Sequence, residues 1–373
     1  NHVEADLQLQ GLKPALATTL SLVSKQAGAP EWNTAAMGPS KRLAAEAFLA
    51  RLQPRLAAGG VVHLGQGEWY SGDAMPRWRL GAFSRADGKP IWRHPERLGW
   101  RRPAHTFGRD AAHDLADAIA NALGVEHSAV MPAYEDALHD RWRARTTREP
   151  DPSVTELRDP ECRRALANRL SIGRDAPSGF VLPLRPDPLT GAWVGSRWVF
   201  RRERLYLLPG DSPLGYRLPL DSLALDEQSS IEAGLERDPF EERAALPEFP
   251  LAPPAGSSTA KPSSDGEPGR AAPRTALCVE WRAGNLHVFL PPIARLEDYL
   301  TLLAAVESSA EALDLAVVLE GYEPPEDHRL RRMLLEPDAG VLRLTLPDTL
   351  TWSEHLGALH AAYADAERVG LRA

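Results

Sequence analysis

Residues 275–290, with the sequence TALCVEWRAGNLHVFL, predict a β-hairpin and so set the class of fold. Two apolar runs flank Ala283-Gly284-Asn285, a short glycine-containing segment that is typical of a tight turn between antiparallel strands. Because side chains alternate along a strand, Cys278 and Glu280 lie on one face and their apolar neighbours on the other. If the turn centres on its alanine and glycine, Glu280 lies opposite His287 and on the same face.

The chain on both sides of this hairpin mixes strands with helices. Downstream, the pattern predicts a helix, a strand, a second hairpin and a last helix that begins with a capping box at Thr351 and Glu354. Upstream, helices are predicted at 41–56 and 110–123, and strands at 61–64, 78–84, 180–184, 193–200 and 204–208. Hairpins that are connected by single helices favour an α+β fold with a mainly antiparallel sheet and flanking helices.

Proline, glycine and serine dominate one internal segment. Seven prolines, with both ends counted, lie from Pro247 to Pro273. The stretch before them is acidic and only weakly periodic. Such a composition cannot bury enough apolar surface to fold by itself. The sequence therefore predicts an N-terminal α+β part at 1–223, a linker or exposed loop at 224–274, and a C-terminal part at 275–373 that shares one sheet with the first.

Composition excludes several classes of protein. The 373 residues are 43% hydrophobic and 25% charged, as in ordinary globular proteins, and the net charge of -8 gives no basic surface for nucleic acid. No apolar run approaches the roughly 18 residues of a membrane helix. Two cysteines, Cys162 and Cys278, are too few for a disulfide framework and fit a reducing compartment. We therefore expect a cytoplasmic protein that binds neither nucleic acid nor membrane.

Acidic residues on the predicted strands are candidate metal ligands. Glu280 projects from the first hairpin, and Glu320 follows a short buried strand. Hard cations such as Mg²⁺ take oxygen ligands, so carboxylates on a partly polar sheet face can bind them. The alternative is the commoner role of such residues, namely solvated strand positions or ion-pair partners of Arg331, Arg332 or Arg343.

Two glycine-containing loops are candidate sites for a nucleotide or another substrate. Residues 65–70, GQGEWY, are followed by Arg77, and glycine lets backbone N–H groups approach a phosphate that an arginine can bind in a bidentate way. The candidate binding residues of this loop are Gln66, Glu68 and Arg77. The loop at 209–217 offers Asp211, Ser212 and Arg217. Neither loop fits a known nucleotide fingerprint, and a structural turn is the alternative for both. No residue can be assigned a catalytic role.

Six phrases of the sequence together resemble a known family. They are PEWNTAA at 30–36, GQGEWY at 65–70, PAYED at 132–136, PGDSP at 209–213, RTALCVE at 274–280 and EGY at 320–322. In this order they are similar to the bacterial family of putative amidoligases, where this region is usually the carboxy-terminal portion of long proteins with a transglutaminase-like amino-terminal part.

This resemblance implies both a fold and an activity. The fold would be glutamine-synthetase-like, and the activity would be ATP-dependent carboxylate–amine ligation of peptide or protein substrates, with ATP and Mg²⁺ as cofactors. Glu280 and Glu320 stand where the family has glutamates on adjacent strands, so the resemblance implies that they bind the metal. A transglutaminase-like domain or protein is the implied partner.

Two motifs depart from the family pattern. Its Gly-Glu-Pro stands here as Leu12-Lys13-Pro14, and its Glu-x-Asn stands as Arg343-Leu344-Thr345. Cations in place of acids would repel Mg²⁺ by several kcal/mol at short range in a poorly solvated site. The family also continues past its counterpart of Gly370. Two functions therefore remain open: an active amidoligase domain, or a non-catalytic domain that keeps the fold for binding peptides or for docking onto a transglutaminase-like or ligase partner.

Overall fold

A computed structural model gives the structure of most of the chain. It describes residues 16–25, 28–68, 70, 76–101, 106–135, 176–187, 190–200, 204–223, 243–247 and 273–372. Lys13, Cys162 and most of the predicted linker at 224–274 lie outside the described residues.

One mixed sheet forms the centre of the described structure. Its thirteen strands are β1 (Thr19–Ser24), β2 (Val61–Gln66), β3 (Trp78–Arg85), β4 (Met131–Tyr134), β5 (Gly179–Pro186), β6 (Trp193–Gly195), β7 (Leu205–Tyr206), β8 (Ala276–Arg282), β9 (Asn285–Leu290), β10 (Val317–Gly321), β11 (Leu330–Asp338), β12 (Val341–Thr345) and β13 (Leu371–Arg372).

The order of these strands brings distant parts of the chain together. Across the sheet they run β13-β1-β12-β11-β3-β2-β10-β9-β8-β5-β4-β7, and β6 pairs with β5. Most neighbours are antiparallel, but β10 is parallel to both β2 and β9, and β4 is parallel to β7. Strands from before and after the predicted linker therefore belong to the same sheet.

Four α-helices in the described part of the chain cover the two faces of the sheet, and the α+β class is confirmed. They are α1 (Pro39–Leu56), α2 (Arg109–Ala122), α3 (Leu296–Ala312) and α4 (Trp352–Arg368). Val61 and Phe83 point to one face and pack with α2 and α3. Their neighbours Val62 and Ala82 point to the other face and pack with α1 and α4. None of the described helices is long and apolar enough to cross a membrane.

A third apolar cluster lies under the loops that follow β5. Trp198, Leu205 and Leu214 pack against Cys278 and Phe289 there. The prediction of a strand at 193–200 is wrong beyond β6, because the chain leaves the sheet there. The buried Trp198 instead donates its indole N–H to the carbonyl of Pro273 at 2.6 Å.

Both predicted hairpins are present. β8 pairs with β9, and Glu280 lies opposite His287 as the alternation predicts. Ala283 and Gly284 form the two-residue turn with φ of 50° and 80°, the left-handed region that this kind of turn requires. In the β11–β12 turn only Gly340, with φ of 72°, is in the left-handed region.

Candidate functional site

Four charged or titratable side chains meet on one face of the sheet, and we call Glu280, Arg282, His287 and Glu320 the carboxylate–arginine cluster. Glu280 and Arg282 are two residues apart on β8, so they share a face. His287 lies opposite Glu280 on β9, and Glu320 lies beside β9 on β10. Only 6% of Glu280 and 2% of Glu320 is exposed, so two buried carboxylates converge. They come from β8 and β10 with β9 between them, and not from adjacent strands as the resemblance implies.

One guanidinium connects the two carboxylates. Nε of Arg282 lies 3.3 Å from Oε1 of Glu280, and its Nη2 donates a hydrogen bond to Oε2 of Glu320. The same Nη2 lies 2.8 Å from Nδ1 of His287, which in turn lies 3.0 Å from Oε2 of Glu320. The backbone N–H of Leu214 donates to Oε1 of Glu280 at 3.1 Å. The buried Oε1 of Glu320 has no hydrogen-bond partner among the described residues.

The surroundings move the pKa values of the two carboxylates in opposite directions. Burial raises the pKa of Glu280, and the charge of Arg282 offsets this only in part. Burial also acts to raise the pKa of Glu320, but the contact with His287 and the charge of Arg282 outweigh it, so the net direction is downward. Glu320 is therefore the more firmly ionised member of the pair.

A second histidine lies on the neighbouring strand β2 and points to the opposite face of the sheet, with Leu319 and Phe83. His63 is fully buried on β2, where burial lowers its pKa to about 4, so the ring is neutral at ordinary pH. Both of its ring nitrogens are without a hydrogen-bond partner within the described ranges.

The loop at 209–217 lies against the carboxylate–arginine cluster through Leu214. Of its predicted binding residues, Asp211 and Ser212 are exposed. Arg217 is buried and donates to the carboxylate of Glu135 at 2.9 Å, so its guanidinium holds the loop to β4.

Aromatic packing fixes the same loop from the other side. The hydroxyl of Tyr216 donates to the carbonyl of Gly321 at 3.1 Å, and its ring centroid lies 4.7 Å from that of Phe289. Gly215 approaches Phe289 so closely that a Cβ atom there would lie 2.1 Å from the ring.

The other predicted loop contributes to a different group of charges. Gln66 is half-buried at the end of β2. Arg77 is ion-paired with Asp338 at 2.6 Å and stacks over the ring of Tyr70 at 4.1 Å. Tyr70 in turn donates a hydrogen bond to the exposed Glu68. The predicted binding residues thus fall into two groups. Residues 211, 212 and 217 belong to the loop that contacts Glu280 through Leu214, and residues 66, 68 and 77 belong to the loop whose Arg77 and Glu68 contact Asp338 and Arg343.

Arg343 belongs to this second group and not to the carboxylate–arginine cluster. Its guanidinium lies 3.5 Å from Glu336 and 3.9 Å from both Glu68 and Asp338. β12 is four strands away from β10, which is about 19 Å at about 4.8 Å per strand spacing. Arg343 also points to the face opposite Glu320, so the expected repulsion between Arg343 and a cation at Glu320 does not arise.

Arg282 is the residue that the sequence interpretation missed. Arg331, Arg332 and Arg343 were the expected ion-pair partners of the two carboxylates, yet Arg332 pairs with Glu326 and Arg343 with Glu336. The signal was present in the hairpin itself, since Arg282 follows Glu280 by two positions and must share its face. Thr345, at the other departure from the family pattern, lies 3.3 Å from Thr19, hydroxyl to hydroxyl.

The carboxylate pair suits a metal ion that arrives with other ligands. In the described part of the chain, no group of three or more His, Cys, Asp or Glu side chains could hold a metal ion. Mg²⁺ often takes only one or two protein carboxylates and fills its shell with substrate phosphates and water. Glu280 and Glu320 fit this use, because both already share one cation and Glu320 has a buried oxygen without a partner.

Comparison with known proteins gives one match. A family model described as "Putative amidoligase enzyme (DUF2126)" matches residues 1–373. No curated protein and no solved structure matches the chain. The glutamine-synthetase-like architecture and the transglutaminase-like partner therefore stay predictions.

Proposed function

Because the chain belongs to the family of putative amidoligase enzymes, we propose that it is an ATP- and Mg²⁺-dependent carboxylate–amine ligase domain that acts on peptide or protein substrates. The observation that supports this most strongly is the convergence of Glu280 and Glu320 on one cation. Two buried carboxylates of the same sheet would repel each other, so the guanidinium that lies between them supports a site that takes positive charge.

The chemistry of such a ligase needs positive charge close to phosphate. The γ-phosphoryl group of ATP passes to a carboxylate oxygen, and the amine then displaces phosphate from the acyl carbon to form the amide. A Mg²⁺ ion held at this site would supply positive charge against the phosphates. Glu280 and Glu320 would hold this ion.

The remaining residues position the carboxylates and the substrate. The N–H of Leu214 fixes Glu280, and His287 fixes Glu320. Asp211 and Ser212 are exposed on the loop that carries Leu214, and we assign them to contacts with the nucleotide. Arg217 belongs to the same loop and acts by holding it in place through Glu135. Gln66, Glu68 and Arg77 lie in the second group, near the β11–β12 turn, and are proposed to contact the substrate and not the nucleotide, with Arg77 held through Asp338.

A second function is favoured by one observation. Arg282 already compensates both carboxylates without a metal ion, as a purely structural ion-pair network would. A non-catalytic domain that docks onto a transglutaminase-like or ligase partner would need no more than this.

Titration calorimetry of Mg²⁺-ATP into the purified protein separates the two functions. We expect micromolar binding, and at least hundredfold weaker binding in Glu280→Gln and in Glu320→Gln. Glu336→Gln is the matched control, because Glu336 is also a strand carboxylate paired with an arginine, but on the opposite face. No detectable heat at millimolar nucleotide would refute the ligase proposal and leave the docking function.

A further inference from the structure

Arg282 stands where a bound cation would stand. We infer that Arg282 is an internal counter-ion which competes with the divalent cation for Glu280 and Glu320, and which leaves the cluster when the cation binds. This inference rests on the proposed function, since it assigns a role to one more residue of the same site.

The position of Arg282 allows it to leave without a change of fold. It is the last residue of β8, next to the two-residue turn, and its backbone is held by pairing with Asn285. Its side chain is 37% exposed, whereas those of Glu280 and Glu320 are 8% and 3% exposed. The guanidinium therefore reaches into the cluster from the solvent side, and rotation of its side chain returns it to water.

The contacts of His287 partly replace those that Arg282 gives up. Nδ1 of His287 faces both Nη2 of Arg282 and Oε2 of Glu320, at 2.8 and 3.0 Å. A ring nitrogen carries either a proton or a lone pair, so it cannot accept from Arg282 and donate to Glu320 at the same time. Once Arg282 has left, Nδ1–H is free to donate to Glu320.

The charges of the site prevent Arg282 and the divalent cation from occupying it at the same time. Two carboxylates and one guanidinium leave one negative charge, and two carboxylates with one divalent cation leave none. Both cations together would place three positive charges against two negative ones within a few ångströms, in a site that is shielded from water. A tethered guanidinium that has been displaced beside the metal is also well placed to pair with the phosphate that accompanies it.

Chemical labelling of the wild-type protein tests the displacement directly. Phenylglyoxal modifies free guanidinium groups, and mass spectrometry reads the rate at Arg282 and at Arg343 separately. Saturating Mg²⁺ without nucleotide should raise the rate at Arg282 several-fold and leave the rate at Arg343 unchanged. An unchanged rate at Arg282 in protein that binds Mg²⁺ would overturn the inference, and this experiment needs no variant that might fold poorly.

Calorimetry with Mg²⁺ alone tests the competition. Arg282→Met should bind Mg²⁺ about ten- to hundredfold more tightly than the wild type, because the charge-assisted hydrogen bonds of Arg282 no longer oppose binding. Arg343→Met, which removes an arginine from the opposite face, should bind as the wild type does. Equal or weaker binding of Mg²⁺ by Arg282→Met would overturn this inference but leave the proposed function standing. Absence of Mg²⁺ binding in every protein, together with absence of Mg²⁺-ATP binding, would overturn the proposed function as well.

Discussion

Replacement of Lys41 by methionine should alter the pH dependence of stability more than the stability at neutral pH. Lys41 lies on α1 and is fully buried. Its ammonium donates to the carbonyls of Ala36 and Asp338 at 2.8 and 2.7 Å, and so ties the loop before α1 to the β11–β12 turn. Burial lowers the pKa of Lys41 from 10.5 to about 8.

The size of the effect follows from this pKa. A fall in pKa from 10.5 to about 8 corresponds to a cost of about 3 kcal/mol for burying the charged form, at about 1.4 kcal/mol for each pKa unit. Below pH 8 the folded protein bears the full penalty of a buried charge. Between pH 8 and 10.5 the unfolded chain binds more protons than the folded one, so the free energy of unfolding rises with pH. A neutral amine still has two N–H groups for its two short hydrogen bonds.

The methionine variant lacks both the hydrogen bonds of the ammonium group and the cost of burying its charge. At neutral pH the variant loses about 1 to 3 kcal/mol for each carbonyl that is left without a hydrogen bond. It also avoids the cost of burying the charge of Lys41, so the two effects largely cancel. Near pH 10.5 the penalty is gone from the wild type, and the variant should be less stable by about 3 kcal/mol more than at neutral pH.

Urea unfolding of both proteins from neutral pH to about pH 10.5 measures this difference. All other titrating groups cancel when one curve is subtracted from the other. Lys25→Met is the matched control, because it removes a lysine whose ammonium pairs with Glu367 at the surface and is not buried. A flat or falling difference for the Lys41 variant would show that the buried ammonium does not carry the penalty that the structure implies.

Three further substitutions test other parts of the structure. Asp365→Asn should lower the free energy of unfolding by about 2 kcal/mol at neutral pH, because the buried carboxylate binds arginines of α1 and α4. These hydrogen bonds outweigh burial and lower the pKa of Asp365 below 3.8. The difference in the free energy of unfolding between the wild type and Asp365→Asn, measured with urea, should therefore persist down to pH 3.8 and vanish only in stronger acid. Thr351→Ala removes the N-cap of α4, and a loss of about 1 kcal/mol in the same assay is expected; an unchanged midpoint would contradict the cap. Gly215→Ala forces a Cβ against the ring of Phe289 and should weaken Mg²⁺-ATP binding in calorimetry, whereas Gly357→Ala, with open space around it, should not.

Local pattern was sufficient for the hairpins and the helices. The alternation of TALCVEWR and the glycine turn placed Glu280 opposite His287, and the structure confirms this register. The capping box at Thr351 likewise marks the start of α4. Each of these features is decided by residues that are close in the sequence, so a short window holds all the information.

The neighbours of β10 could not be predicted in this way. β10 lies between β9 and β2, and the residues that pair β2 with β10, such as His63 and Leu319, are more than 250 positions apart. Nothing in either strand specifies the other, because many apolar strands would suit the same place. The parallel pairs of the sheet and the approach of Glu320 to Arg282 both depend on this placement. The residue pattern alone therefore predicted two separate carboxylates, and only the family resemblance implied that they act together.

The position of β1 has a consequence for folding in the cell. β1 lies between β12 and β13, and Thr19 pairs with Thr345 across more than 300 residues. At about 5 to 20 residues per second, a ribosome needs roughly 15 to 60 s to make the chain between them. Throughout that time the backbone groups of β1 have no partner strand and invite pairing with other chains. Synthesis should therefore leave this strand dependent on chaperones, and refolding should be limited by the late insertion of β1 between its two partners.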